Sequence, residues 1–117
     1  MLQREDRKYL YDIAEAGNYI GQFTAGKTYA DYLADPMLRS AVERQFEIIG
    51  EALKLLLQRE PDLKERISSV SRIIAFRNRL SHGYATVSDE VVWGVVERYL
   101  PVLLREVQEL LAEGESA

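Results

Sequence analysis

Apolar positions recur along this chain with the three-to-four-residue step of an α-helix, and no strand-like alternation interrupts them. Tyr9, Ile13, Ala16, Ile20 and Phe23 predict an amphipathic helix from about Arg4 to Phe23. The stretch TAGKTYADYLADP then reads as a connector, with a short helical turn around Tyr29 to Leu33. Asp35-Pro36 is a strong helix start, an N-cap carboxylate followed by proline at the first helical position. The second helix runs from there to about Gln58, with Leu38, Val42, Ile49, Ala52, Leu53 and Leu56 inward. Gln45 falls within that stripe, so a buried polar partner is expected there. Gly50 and Phe46, the latter read as exposed on the helix's second side, mark a close approach of another helix, in the bundle or in a dimer.

Pro61 closes this segment, and a third helix is predicted from about Ser69 to Ser81, with Gly83 suited to a left-handed C-terminal cap. Ser88, Asp89 and Glu90 open a fourth, where the helix dipole favours acids. Its inward face carries Val92, Val96, Tyr99, Leu103, Val107 and Leu110, and Pro101 predicts a kink near Glu97. The tail from about residue 112 is expected to fray. Four amphipathic helices joined by short connections predict an all-α, four-helix up-and-down bundle, one domain over residues 1–117.

Composition narrows the function more than the fold. The chain has 117 residues, no cysteine and one histidine, so disulfides and thiolate metal sites are excluded and a zinc site within one chain is disfavoured. No apolar run is long enough to span a membrane, and the charged N-terminus MLQREDRKYLYD argues against export, which predicts a cytoplasmic protein. The net charge of −4 argues against a general nucleic-acid coat. Yet from Arg66 through Ser88 there is no Asp or Glu, while Arg66, Arg72, Arg77 and Arg79 all lie there. Such a window can bind phosphate locally, or can be the solvated face of a helix.

The chemistry concentrates in FRNRLSHGYA, residues 76–85. At about 100° per residue, Ile73, Phe76 and Leu80 share the inward face and Arg77 lies at its edge. Arg72 and Arg79 point roughly the other way, free to meet solvent, phosphate or a partner. His82 lies about 140° around from Arg77 if the helix continues. The two side chains converge only if the helix ends near Ser81, or if two copies meet across a symmetric dimer. A guanidinium and an imidazole together suit phosphodiester cleavage: one stabilises charge on phosphate oxygens, the other moves the proton, and neither needs a metal. Asn78 can orient a substrate group, and Tyr84 can hydrogen-bond the site or stack on a base. The competing readings are structural. His82 can serve the helix C-terminus, Arg77 can pair with Glu43, Glu47 or Glu51, and Tyr84 can simply pack.

The surrounding sequence adds a resemblance. FRNRLSHGY matches the Arg-x4-His-x-Tyr motif of the HEPN superfamily and resembles its HepT-like ribonuclease toxins, where a polar residue such as Asn78 follows the arginine. AVERQFEIIGEALKLL resembles that family's second helix and VVWGVVERYLPVL its fourth, so the likeness extends from about residue 4 to 110. It implies a HEPN-like bundle with a kinked last helix that forms a homodimer and joins two motifs in one cleft. It implies a metal-independent endoribonuclease leaving a 2′,3′-cyclic phosphate, with no cofactor. Arg77 and His82 become the expected catalytic residues, with Asn78, Arg79 and Ser81 supporting the RNA substrate. It further implies a cognate MNT-type nucleotidyltransferase antitoxin that adenylylates Tyr84, giving O-AMP-tyrosine. The alternatives are a non-catalytic HEPN subunit that docks on a nucleotidyltransferase and helps bind nucleotide or substrate, and a purely structural bundle.

Overall fold

The computed structural model describes residues 2–68, 70–82 and 88–115, the side chains of Ser81, His82, Gly114 and Glu115 excepted. Within those residues the chain forms six α-helices: α1 (Arg4–Thr24), α2 (Tyr29–Ala34), α3 (Pro36–Arg59), α4 (Val70–His82), α5 (Asp89–Arg98) and α6 (Leu100–Glu115). A 3-10 turn over Pro61–Glu65 joins α3 to α4. None of the described helices is long and apolar enough to cross a membrane.

The caps follow the sequence. The Asp35 carboxylate accepts from the Met37 and Leu38 amides at 3.0 and 3.2 Å, which starts α3 on Pro36. Thr28 and Asp31 exchange reciprocal bonds at the start of α2, and Ser88 Oγ accepts from the Val91 amide to start α5.

The start of α1 meets the end of α3 where Asp6 pairs with Arg59, so these two helices run antiparallel. α4 returns along α3, with Phe76 edge-on to Phe46 at 5.2 Å between ring centroids. α6 lies back along α1, where Arg7 Nη1 donates to the Leu111 carbonyl. Tyr32 of α2 packs on Trp93 of α5, and Arg39 of α3 faces Asp89 at 3.9 Å. The interior is built from Leu10, Ile13 and Ile20, from Val42, Ile49, Leu53 and Leu56, and from Leu103 and Val107, all at most 2% exposed. The four long layers are thus α1, α3, α4 and the α5–α6 pair, with α2 as a short addition.

Several expectations need correction. The fourth helix is broken rather than kinked: α5 stops at Arg98, Tyr99 sits at the junction, and Pro101 falls in the first turn of α6. A proline is tolerated there because first-turn amides have no intrahelical acceptor. The break shifts the register, so Val95 rather than Val96 is buried. Phe46 is not exposed but 2% accessible and central to the core, because the α3 stripe runs Val42, Phe46, Ile49, Leu53. Gln45 accordingly lies half-buried beside that stripe instead of within it. α6 continues to Glu115, and Arg66 hydrogen-bonds and ion-pairs with Glu113 on its last turns. Gly83, the expected cap of α4, lies outside the described residues.

Asp6 is the one buried charged residue among those described. Burial pushes its carboxyl up, but the 2.7 Å hydrogen bond from Arg59 Nε, the Gln3 amide and the Arg59 charge outweigh burial and hold it below its ordinary 3.8. A depressed folded-state pKa stabilises the protein above the unfolded value and is lost as pH falls through the folded one. Asp6→Ala should therefore lower stability by about 1 kcal/mol at neutral pH, from the lost capping bond. In urea titrations the gap between variant and wild type should close below pH 3.8. A gap independent of pH would show that the ion pair contributes nothing.

Candidate active site

α4 presents two different faces to its surroundings. Ile73 and Phe76 are buried and Leu80 packs against the core, which fixes the helix's rotation as its periodicity predicts. Arg77 is left at the edge of that face, with its side chain 21% exposed.

What holds Arg77 there is a missing side chain on α3. A Cβ built on Gly50 would lie closer than 3.0 Å to both Cβ and Cγ of Arg77, and 3.3 Å from its Cδ. The helices cross at this point because Gly50 leaves room for the arginine's stem. The close approach expected at Gly50 is therefore real, and it is made by α4. The guanidinium is fixed from two sides: Nη2 lies 2.7 Å from Glu51 Oε2, and Nη1 donates to Asn78 Oδ1 at 3.0 Å. Its Nε is buried and has no hydrogen-bond acceptor among the described residues. Of the three glutamates named by sequence, Glu51 is the partner, while Glu47 is held by Arg44 at 3.5 Å. A depression of about 260 Å³ opens over this group, lined by Arg77, Glu47, Glu51, Arg44, Asp12 and Tyr9 among others.

Arg72 and Arg79 lie on the opposite side of α4, both exposed, as the helical arithmetic requires. Arg72 stacks over the Tyr99 ring at 5.0 Å and hydrogen-bonds its hydroxyl. Sequence reading missed this contact, because it placed Tyr99 on the inward face of an unbroken helix. Ser81 and His82 belong to the backbone of α4, but their side chains lie outside the described residues, and so does Tyr84. Along the helix, the Cα atoms of Arg77 and His82 are separated by about 140° of rotation. The arrangement provides a pre-aligned guanidinium whose resting partner, Glu51, is 43% exposed. An anionic ligand can displace such a carboxylate with little desolvation.

Gly50→Ala separates the two effects of the crossing. Alanine favours a helix by up to about 1 kcal/mol, but the overpacking against Arg77 costs about 1–3 kcal/mol. A lower melting temperature, with the helical circular dichroism retained, is the expected result. A more stable variant would contradict the crossing.

The chain matches the family model described as Ribonuclease HepT-like over residues 13–110. It is 32% identical over 110 residues to "Putative RNase MJ1380" of Methanocaldococcus jannaschii, covering 92% of this chain and 98% of that one. It is 32% identical to "Putative RNase TTE0752" of Caldanaerobacter subterraneus subsp. tengcongensis, with 90% and 93% covered. It is 33% identical to "Probable ribonuclease HepT" of Thermococcus cleftensis, with 93% and 98% covered. No solved structure gives a significant match. With the match covering α1 to α6, the chain belongs to the HepT-like ribonuclease family of the HEPN superfamily.

Proposed function

We propose that this chain is a metal-independent endoribonuclease toxin acting in the cytoplasm, with Arg77 and His82 as its catalytic residues. The observation that carries this reading is the placement of Arg77, packed into the Gly50 notch and aligned by Glu51 and Asn78, in a HepT-like chain. A guanidinium held in this way stabilises phosphate charge without reorganising when the charge grows. In the proposed reaction His82 takes the proton of the ribose 2′-hydroxyl as that oxygen attacks phosphorus. The bond to the 5′-oxygen breaks, the leaving oxygen gains a proton, and a 2′,3′-cyclic phosphate remains. Asn78, Arg79 and Ser81 support the bound RNA.

The helical path of α4 through His82 favours a site shared by two copies. On one chain Arg77 and His82 diverge by about 140°, so a homodimer in which Arg77 of one protomer faces His82 of its partner brings both to one phosphate. An MNT-type nucleotidyltransferase antitoxin silences the enzyme by adenylylating Tyr84, which adds negative charge seven residues from Arg77. The ion pair between Arg77 and Glu51 is the observation that favours the second reading, a non-catalytic subunit bound to a nucleotidyltransferase.

Arg77→Ala and His82→Ala should each lose RNA cleavage by at least about 100-fold while keeping the helical fold. Mixing the two inactive variants should restore a fraction of wild-type activity, because some mixed dimers contain one complete site. No restoration, despite mixed dimers seen by mass spectrometry, would place both groups on one protomer. Full activity in either variant would sink the catalytic assignment and leave the binding subunit as the better reading.

A further inference from the structure

The face of α4 turned away from Arg77 forms, with α5, a groove of about 470 Å³. Arg72, Arg79, Arg98 and Tyr99 line it, and Glu90 is the one carboxylate in its wall. Five other arginines are neutralised: Arg39, Arg44, Arg59, Arg66 and Arg77 all pair with carboxylates. Arg72, Arg79 and Arg98 have no carboxylate partner among the described residues, and all three are exposed. Three unpaired guanidiniums beside one glutamate give this groove a positive field on a protein of net charge −4.

Two further features suit a particular occupant. Tyr99 lines the groove with Arg72 stacked over its ring, a planar pair of the kind on which a nucleobase can stack in turn. Gly94, in the middle of α5, also lies in the wall, and a Cβ there would meet nothing within 4 Å. A glycine inside a helix costs about 1 kcal/mol relative to alanine, and here no neighbouring atom requires it. It leaves the groove open at mid-length.

We infer that this α4–α5 groove is the track for a single-stranded segment of the RNA substrate. The phosphates sit on Arg72, Arg79 and Arg98, and a base stacks at Tyr99. This rests on the ribonuclease reading, and it names single strands rather than duplex as the substrate class. Arg79 lies three residues before His82 on α4, so a strand leaving this groove along the helix reaches the end of α4 that carries the proposed site. The groove binds and orients the strand; the chemistry stays with Arg77 and His82.

The test is fluorescence anisotropy with a labelled 2′-O-methyl-RNA single strand, which binds but cannot be cleaved, on the wild type, Arg98→Ala and Gly94→Leu. Arg98 is exposed and a Cβ at Gly94 meets nothing within 4 Å, and circular dichroism checks the fold. Each variant should bind about tenfold more weakly, and Arg98→Ala should reduce the salt slope by about 0.7, one phosphate contact in a single strand. Variants that bind the single strand as tightly as wild type would overturn the inference. So would Gly94→Leu dissociating a dimer in light scattering while Arg98→Ala leaves RNA binding intact, since the groove would then be a contact between copies. If the wild type binds the probe, loses it in both variants, and yet cleaves no RNA, the groove stands and the ribonuclease reading fails.

Discussion

The crossing of α3 and α4 at Gly50 is the constraint on which the rest of this structure depends. The two helices carry the central aromatic pair, Phe46 against Phe76, and that pair meets edge-on because the backbones come close one turn further along. Close packing there sets the rotation of α4, and the rotation sets which arginines are held and which are free. Arg77 is drawn into the contact and aligned by Glu51 and Asn78. Arg72 and Arg79 are turned out to the α5 side. One packing decision therefore produces two chemically different faces on a single helix of 13 residues.

Those faces divide the work expected of a phosphodiesterase. A guanidinium that is packed and paired contributes alignment, since little side-chain freedom is left to lose when phosphate arrives. Guanidiniums without carboxylate partners contribute field and contact, which suit binding along a flexible polyanion. An acidic protein can present such a face because most of its carboxylates lie elsewhere, some of them in pairs such as Glu5 and Asp6 with Arg59. That cluster ties the beginning of α1 to the end of α3 and so braces the pair of helices that presents Gly50.

Much of this was legible in the sequence because helical period and caps are local. α1, α2 and α3 begin and end within about two residues of where the apolar steps and Asp35-Pro36 put them. The edge position of Arg77 follows from arithmetic along α4. The misreadings are of a different kind. Phe46 and Gln45 were exchanged because a stripe drifts by one residue over several turns, and only the partner helix decides which position faces inward. The proline in the fourth helix became a break because α5 must turn to cover α2, where Tyr32 packs on Trp93. The pairing of Asp6 with Arg59 spans 53 positions and the stacking of Arg72 on Tyr99 spans 27, and no local pattern announces either. The choice of Glu51 over Glu43 and Glu47 required the crossing itself.

Cleavage of RNA by the purified protein in EDTA, with the product ends identified, tests the central claim most directly. The account predicts 2′,3′-cyclic phosphate ends, formed without added metal and absent in the His82→Ala protein. Cleavage that EDTA abolishes, or products ending in a linear phosphate from the first time point, would contradict it.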